Sequence, residues 1–144
     1  MQGFPHHYHV QASAPPSGDV TLAADGLPAL ATQPPAEFGG PGDRWSPETL
    51  LTAAVADCFV LSFRAIAAAS KFEYTRLDCA VEGVLDRVER VMRFTGFTVR
   101  ARLLLPAGAD EARARRLLEK AEDSCLITNS LSAETHLEVE LVNG

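Results

Sequence analysis

Residues 46–70 read SPETLLTAAVADCFVLSFRAIAAAS, the most apolar part of the chain. The run opens with Ser46, a good helix N-cap, then Pro47 at the first helical position, where its missing N–H costs nothing, and Glu48 at the positive end of the helix dipole. The spacing predicts one long helix over residues 46–70. Leu50, Leu51, Ala54, Val55, Phe59, Leu61, Phe63 and Ile66 occupy nearly every face of it. A helix apolar all round is expected to be buried on all sides. Its length would cross a bilayer, but Asp57, Ser62 and Arg64 lie within it, and unpaired charge is expensive in hydrocarbon. The expectation is therefore the buried central helix of a soluble protein.

Working outward, residues 33–43 hold three prolines and three glycines and read as a loop. Before it, residues 7–12 alternate as a strand, residues 20–22 form a second, and residues 27–31 a third. Turn signals at Pro15-Pro16-Ser17-Gly18-Asp19 and Asp25-Gly26 separate them. After the helix, residues 77–89 and 94–105 alternate as two long strands. Phe97, Val99, Ala101 and Leu103 interleave with Thr98, Arg100 and Arg102, the pattern of a sheet with one wet face. Residues 110–124 repeat Ala114, Leu117, Leu118 and Ala121 at helical spacing, and residues 135–142 alternate again. The order is β-β-β-α-β-β-α-β, an α+β fold with both helices against one sheet.

The chain has 144 residues, enough for one domain spanning 1–144 and no second. With 13 Lys+Arg against 19 Asp+Glu the formal net charge is −6, which disfavours nucleic acid and anionic membranes as partners. The first residues show no basic region followed by an apolar run, so the cytoplasm is the expected compartment.

Three cysteines, Cys58, Cys79 and Cys125, do not make a disulfide framework, and no CxxC suggests structural zinc. Taken alone, Cys58 and Cys125 read first as core packing, since free cysteine is among the most buried residue types. Cys79 sits on a predicted strand, where packing is the stronger reading. Spacing does not say which two meet in space; a redox pair needs Cα atoms within roughly 7 Å. His7 and His9 form an H-x-H pattern that can bind metal, but exposed histidines on an edge strand are the commoner explanation. Neither a metal nor a cofactor is expected.

Trp45-Ser46-Pro47-Glu48-Thr49-Leu50-Leu51, followed by Ala53-Ala54-Val55-Ala56-Asp57-Cys58-Phe59, resembles the first cysteine signature of the OsmC/Ohr family. Residues 122–131, EDSCLITNSL, are similar to that family's second-cysteine motif, with Leu126 where many members have proline. Glu82-Gly83-Val84-Leu85-Asp86-Arg87 resembles its first long strand, and the element order matches end to end. The resemblance implies an intertwined homodimer that reduces organic hydroperoxides. Cys58 would be the attacking thiol, Cys125 the resolving thiol, Glu48 a carboxylate at the site, and an external dithiol the reductant.

Helix arithmetic adds a constraint. Glu48 and Cys58 are ten residues apart, about 15 Å along a straight helix, so they cannot share a site within one chain. If both act together, Glu48 must reach Cys58 of another subunit.

The family usually places an arginine near the N-terminal hairpin to hold the thiolate. Here that region reads Pro16-Ser17-Gly18-Asp19, and no arginine precedes Arg44. Arg44 is the candidate replacement and Arg64 the second; as structural residues, Arg44 would pair with Asp43 or Glu48, and Arg64 with an acid from another element. Without a cation a buried thiol keeps a high pKa and reacts slowly. A thiol–disulfide reductase or redox sensor with weak peroxidase activity, and a non-catalytic module holding an apolar ligand, are therefore the competing readings.

Overall fold

Ser46 opens helix α1 (Pro47–Ala69) with a reciprocal cap. The Thr49 N–H donates to Ser46 Oγ at 3.1 Å, and the Ser46 N–H donates to Thr49 Oγ1 at 2.8 Å. This is the geometry of a capping box, with threonine in place of the usual Glu or Gln. The computed structural model describes residues 2–144 and divides into two units, Met1–Leu50 and Leu51–Gly144.

In the first unit, β1 (Gln11–Ser13), β2 (Val20–Ala23) and β3 (Leu30–Thr32) form an antiparallel sheet in sequence order. The strand expected over residues 7–12 starts only at Gln11, because the residues before it pair with no strand. The third is shorter than expected, because the Leu27 N–H closes a turn on the Ala24 carbonyl at 3.1 Å. The Pro/Gly-rich loop contains one 3-10 turn, Ala36–Phe38, which the sequence reading left as loop. Gly40 is obligatory there: a Cβ would sit 1.7 Å from the Pro34 carbonyl oxygen.

In the second unit, β4 (Arg76–Val88) and β5 (Val91–Leu105) form a long antiparallel hairpin. β6 (Glu134–Asn143) then pairs in parallel with β5, giving the order β4-β5-β6. A parallel neighbour needs a crossover, and α2 (Glu111–Asp123) supplies it, capped by Asp110 accepting from the Arg113 N–H at 3.0 Å. A four-residue helix, α3 (Leu126–Asn129), follows; the sequence reading did not separate it.

The core is built as the alternation predicts. Phe97, Val99, Ala101, Leu103 and Leu105 of β5 are buried with Ala114, Leu117, Leu118 and Ala121 of α2. Arg100 and Arg102 project from the opposite, wet face and pair across the strand with Glu138 at 3.3 Å and Glu140 at 3.6 Å. Beyond α1, Arg113 donates to the Ser70 carbonyl and lies 5.5 Å over the Phe72 ring, tying the end of α1 to the start of α2.

The expectation that α1 is buried on all sides needs correction for the chain by itself. Val55, Phe59, Phe63 and Ala67, four residues apart, are its buried residues, whereas Leu61 is 49% exposed and Ala65 and Ala68 are also exposed. One stripe meets the core of this unit; the opposite stripe carries Leu61, Ala65 and Ala68 together with Asp57 and Arg64, and is exposed.

Gly83 of β4 lies where the hairpin passes beneath α1. A Cβ there would stand 2.9 Å from Phe97, 3.0 Å from Phe94 and 3.0 Å from the Thr52 hydroxyl. Phe94 and Phe97 are stacked at 5.0 Å, so neither ring can give way without disturbing the other. Gly83→Ala should therefore destabilise the fold by about 1–3 kcal/mol, read as a lower denaturant midpoint with unchanged slope.

Candidate active site around Cys58

Cys58 sits on α1 directly before the buried Phe59, one position round the helix from the packed stripe. Phe59 holds the helix against the core, and that anchorage turns the Cys58 side chain to the edge of the packed face, where it is half-buried. It opens onto a pocket of about 420 Å³ whose walls include Ala54, Leu61 and Ala65 of α1 and Leu126 and Ile127 of α3. Ser62 is one turn further along the helix, with Oγ 3.9 Å from Cys58 Sγ.

Cys125 arrives from the other side. It is the N-cap of α3, 1% exposed, with its carbonyl accepting the Thr128 hydroxyl at 3.2 Å. The structure brings Cys58 and Cys125 together, near enough to share a hydrogen bond, and both are free thiols. Cys79, on β4, is also free and half-buried.

The three thiols differ in electrostatics. Burial pushes the Cys58 thiol up, but the Ile127 N–H, the Cys125 thiol, the Ser62 hydroxyl and the Leu126 N–H together hold it below the ordinary cysteine value. Burial raises Cys125, and Cys58 opposes its ionisation further, so Cys125 is the partner that keeps its proton and donates it. Burial, aided by the charge Cys125 would carry once ionised, pushes Cys79 up to about 11, which leaves it protonated at neutral pH. A thiolate is the nucleophile, so the arrangement can do thiol chemistry at Cys58 with a second sulfur in reach.

The remaining candidates lie elsewhere. Arg44 is half-exposed and engages Asp19 at 3.5 Å and Asp43 at 3.7 Å. Asp19 belongs to the N-terminal hairpin turn, so the guanidinium stands at the segment where the arginine was expected and missing. Its carboxyl is held below the usual range chiefly by a 2.9 Å hydrogen bond from Gln33, with Arg44 assisting. Glu48 is half-buried with Oε1 shielded from solvent, and it lines a second cavity of about 470 Å³ whose walls include Val20, Leu22, Pro35, Phe38 and Leu50. Arg64 faces a different depression, with Phe72 and Tyr74, and is not among the residues lining the Cys58 pocket. Among the described residues no cluster of three His, Cys, Asp or Glu side chains could hold a metal ion, and His7 and His9 lie before β1 rather than on it.

Sequence reading missed the donors that α3 offers to Cys58. Leu126 is the position where the resembling family often carries proline, and proline has no N–H. That substitution was visible, but its meaning depends on α3, whose single turn is too short to show a helical period.

The OsmC-like protein family model matches residues 40–140. The chain is 28% identical over 139 residues to the uncharacterized protein YmaD of Bacillus subtilis, covering 94% of this chain and 93% of that protein. It is 27% identical over 96 residues to peroxiredoxin OsmC of Escherichia coli, 67% of this chain and 66% of the relative. It is also 27% identical over 122 residues to the organic hydroperoxide resistance protein of Xanthomonas axonopodis pv. citri, 85% and 84%. Among solved structures, an OsmC-like protein of unknown function from Vibrio cholerae superposes with a TM-score of 0.86 at 16% identity, over 94% of this chain and 100% of that one.

The Cys58 environment makes a pH prediction. The thiolate fraction grows with pH through the thiol pKa, so a depressed pKa places the rise of thiol reactivity below pH 9. Leu126→Pro removes one N–H donor at the first position of α3, a place proline tolerates in a helix. The midpoint of the alkylation-rate profile of Cys58 should move to higher pH, with a loss of reactivity at neutral pH of up to roughly tenfold per unit moved. Leu126→Ala, which retains the N–H, should move it less; equal profiles for all three proteins would remove the Leu126 N–H from the site.

Proposed function

The chain belongs to the OsmC-like protein family, and from that premise we propose that it is a thiol-dependent peroxidase of organic hydroperoxides, working in the cytoplasm as a single 1–144 domain. The family as a whole is associated with organic hydroperoxide resistance and redox chemistry, as the names of its curated relatives state. The observation that carries the finer reading is the pairing of a half-buried, acidified Cys58 with a protonated Cys125.

In this reading the Cys58 thiolate attacks one oxygen of ROOH and the O–O bond breaks. Sulfur loses two electrons and becomes a sulfenic acid, while the leaving alkoxide takes a proton and departs as ROH. Cys125 then condenses with the sulfenic acid, releasing water and forming a Cys58–Cys125 disulfide. An external dithiol restores both thiols by exchange, becoming a disulfide itself. The pocket walls of alanine, leucine and isoleucine suit a substrate with an apolar body.

The exposed Leu61, Ala65 and Ala68 of α1 support a homodimer in which two such helices meet. Glu48, ten residues before Cys58 on the same helix, would then serve the thiol of the partner, and Arg44 would arrive with it as the cation. A second reading, a slow thiol–disulfide reductase or sensor, is favoured by the engagement of Arg44 with Asp19 and Asp43, which neutralises part of its charge. A third, an apolar-ligand module, is favoured by the cavity beside Glu48.

Peptide mapping after one equivalent of cumene hydroperoxide should find the Cys58–Cys125 link with Cys79 reduced, and Cys58→Ser should abolish turnover. A dominant disulfide containing Cys79, or no oxidation of Cys58, would overturn the assignment. Light scattering at micromolar concentration should give twice the mass of the chain; a well-folded monomer would sink the shared site, Glu48 and Arg44 included.

A further inference from the structure

Ser62 is a polar side chain in the apolar middle of α1, half-buried between Leu61 and Phe63. A serine inside a helix often returns its hydroxyl to the carbonyl four residues earlier. Here the hydroxyl meets the thiol of that residue instead. Ser62 Oγ is 3.9 Å from Cys58 Sγ, within range of a hydrogen bond to sulfur. Ser62 also lines the pocket of about 420 Å³ onto which the thiol opens. The two residues stand one turn apart on one helix, so the contact is made within the chain whatever a partner subunit covers.

We infer that Ser62 is a catalytic residue, whose hydroxyl donates to the Cys58 sulfur at rest and passes to the peroxide oxygens as the O–O bond breaks. The inference rests on the reading of Cys58 as the attacking thiol and adds a group to that same site. As the thiolate attacks the terminal oxygen of ROOH, an S–O bond forms and the O–O bond breaks. The electron pair of that bond leaves with RO⁻, which takes a proton from solvent, and Ser62 keeps its own. Negative charge thus moves off sulfur and onto oxygen. A peroxide oxygen drawn up to sulfur on the pocket side comes within about 3 Å of a hydroxyl that stands 3.9 Å from that sulfur. Oxygen accepts a hydrogen bond at shorter range than sulfur does, so the donor gains strength as the charge arrives. Only an interaction stronger in the transition state than at rest speeds the step.

A hydroxyl that served only the resting thiolate would act in the opposite sense. Its loss would make the thiolate harder to form but, once formed, slightly more nucleophilic. The two cases separate at high pH, where Cys58 is fully ionised. Within the chain, Asp57 and Cys125 are the titratable groups at Cys58, and the proposed dimer adds the partner's Glu48 and the partner's Arg44; all four are kept in the variants. Single-turnover oxidation of Cys58 by cumene hydroperoxide, and its alkylation by iodoacetamide, are followed across the pH range of thiol ionisation in the reduced full-length protein. Both are read by mass at the Cys58 peptide. In Ser62→Ala the peroxide plateau should fall by about three- to tenfold, the size of one hydrogen bond to developing charge, while the alkylation plateau holds or rises. Ser62→Thr, which keeps a hydroxyl, should recover most of the peroxide plateau. Alanine suits a helix interior, and the alkylation profile reports whether the thiol site is intact. Equal falls in both plateaus, an unchanged peroxide plateau, or a folded Ser62→Thr protein no faster than Ser62→Ala overturns the role of Ser62 while leaving Cys58 as the attacking thiol. A wild-type Cys58 that cumene hydroperoxide does not oxidise takes down the peroxidase reading and this inference with it.

Discussion

The burial of Val55, Phe59, Phe63 and Ala67 along one line of α1 is the contact on which the second unit depends. It consumes only one face of the helix, and in doing so it sets the rotation of every other side chain on it. Successive residues on a helix are turned by about 100°, so locking Phe59 inward leaves Cys58 at the margin and Leu61 outside. A thiol one position earlier or later would be in the core or in water. The margin is the one place where burial can exclude solvent partly and donors from another element can still approach.

Those donors come from the far end of the chain. The parallel pairing of β6 with β5 forces a crossover, and α2 with α3 is that crossover. Cys125 and the N–H groups of Leu126 and Ile127 stand where it turns back toward the sheet, so a requirement of strand topology delivers the second sulfur to the first. The opposite pKa tendencies of the two thiols follow from this placement. At Cys58 the hydrogen bonds it receives outweigh burial, whereas at Cys125 burial, with Cys58 beside it, outweighs the Thr128 N–H and hydroxyl that face it. The same logic leaves Cys79 inert, because burial on β4 raises it without any compensating donor.

Much of this was legible in the residues. Ser46 and Pro47 marked the start of α1, the alternation around Phe97 marked β5, and the two cysteine motifs singled out the thiols that the fold brings together. What failed to show had physical reasons. The stretch before Gln11 alternates as a strand does, yet it has no partner strand, and pairing is not a property of one segment. The all-round apolarity of α1 was read as all-round burial, but composition does not say whether the cover comes from the same chain. The role of Leu126 was hidden because a backbone N–H is carried by every residue except proline, so a donor appears in a sequence only as a proline that is absent.

The parallel strand also has a consequence for how the chain reaches this state. β4 and β5 are joined by a tight turn at Glu89 and Arg90, both at positive φ, and can zip from it through near neighbours. β6 must close a long loop, the same length for every pair from Gly96–Glu134 to Leu105–Asn143, before any of its hydrogen bonds form. Closures of this kind carry the largest entropic barrier and dominate folding times. Cys125 rides in that loop. The pairing of β6 with β5 therefore holds Cys125 in place beside Cys58, and the thiol pair depends on the closure of that loop. A chain meeting oxidant before its last third is synthesised would present Cys58 and Cys79 without Cys125.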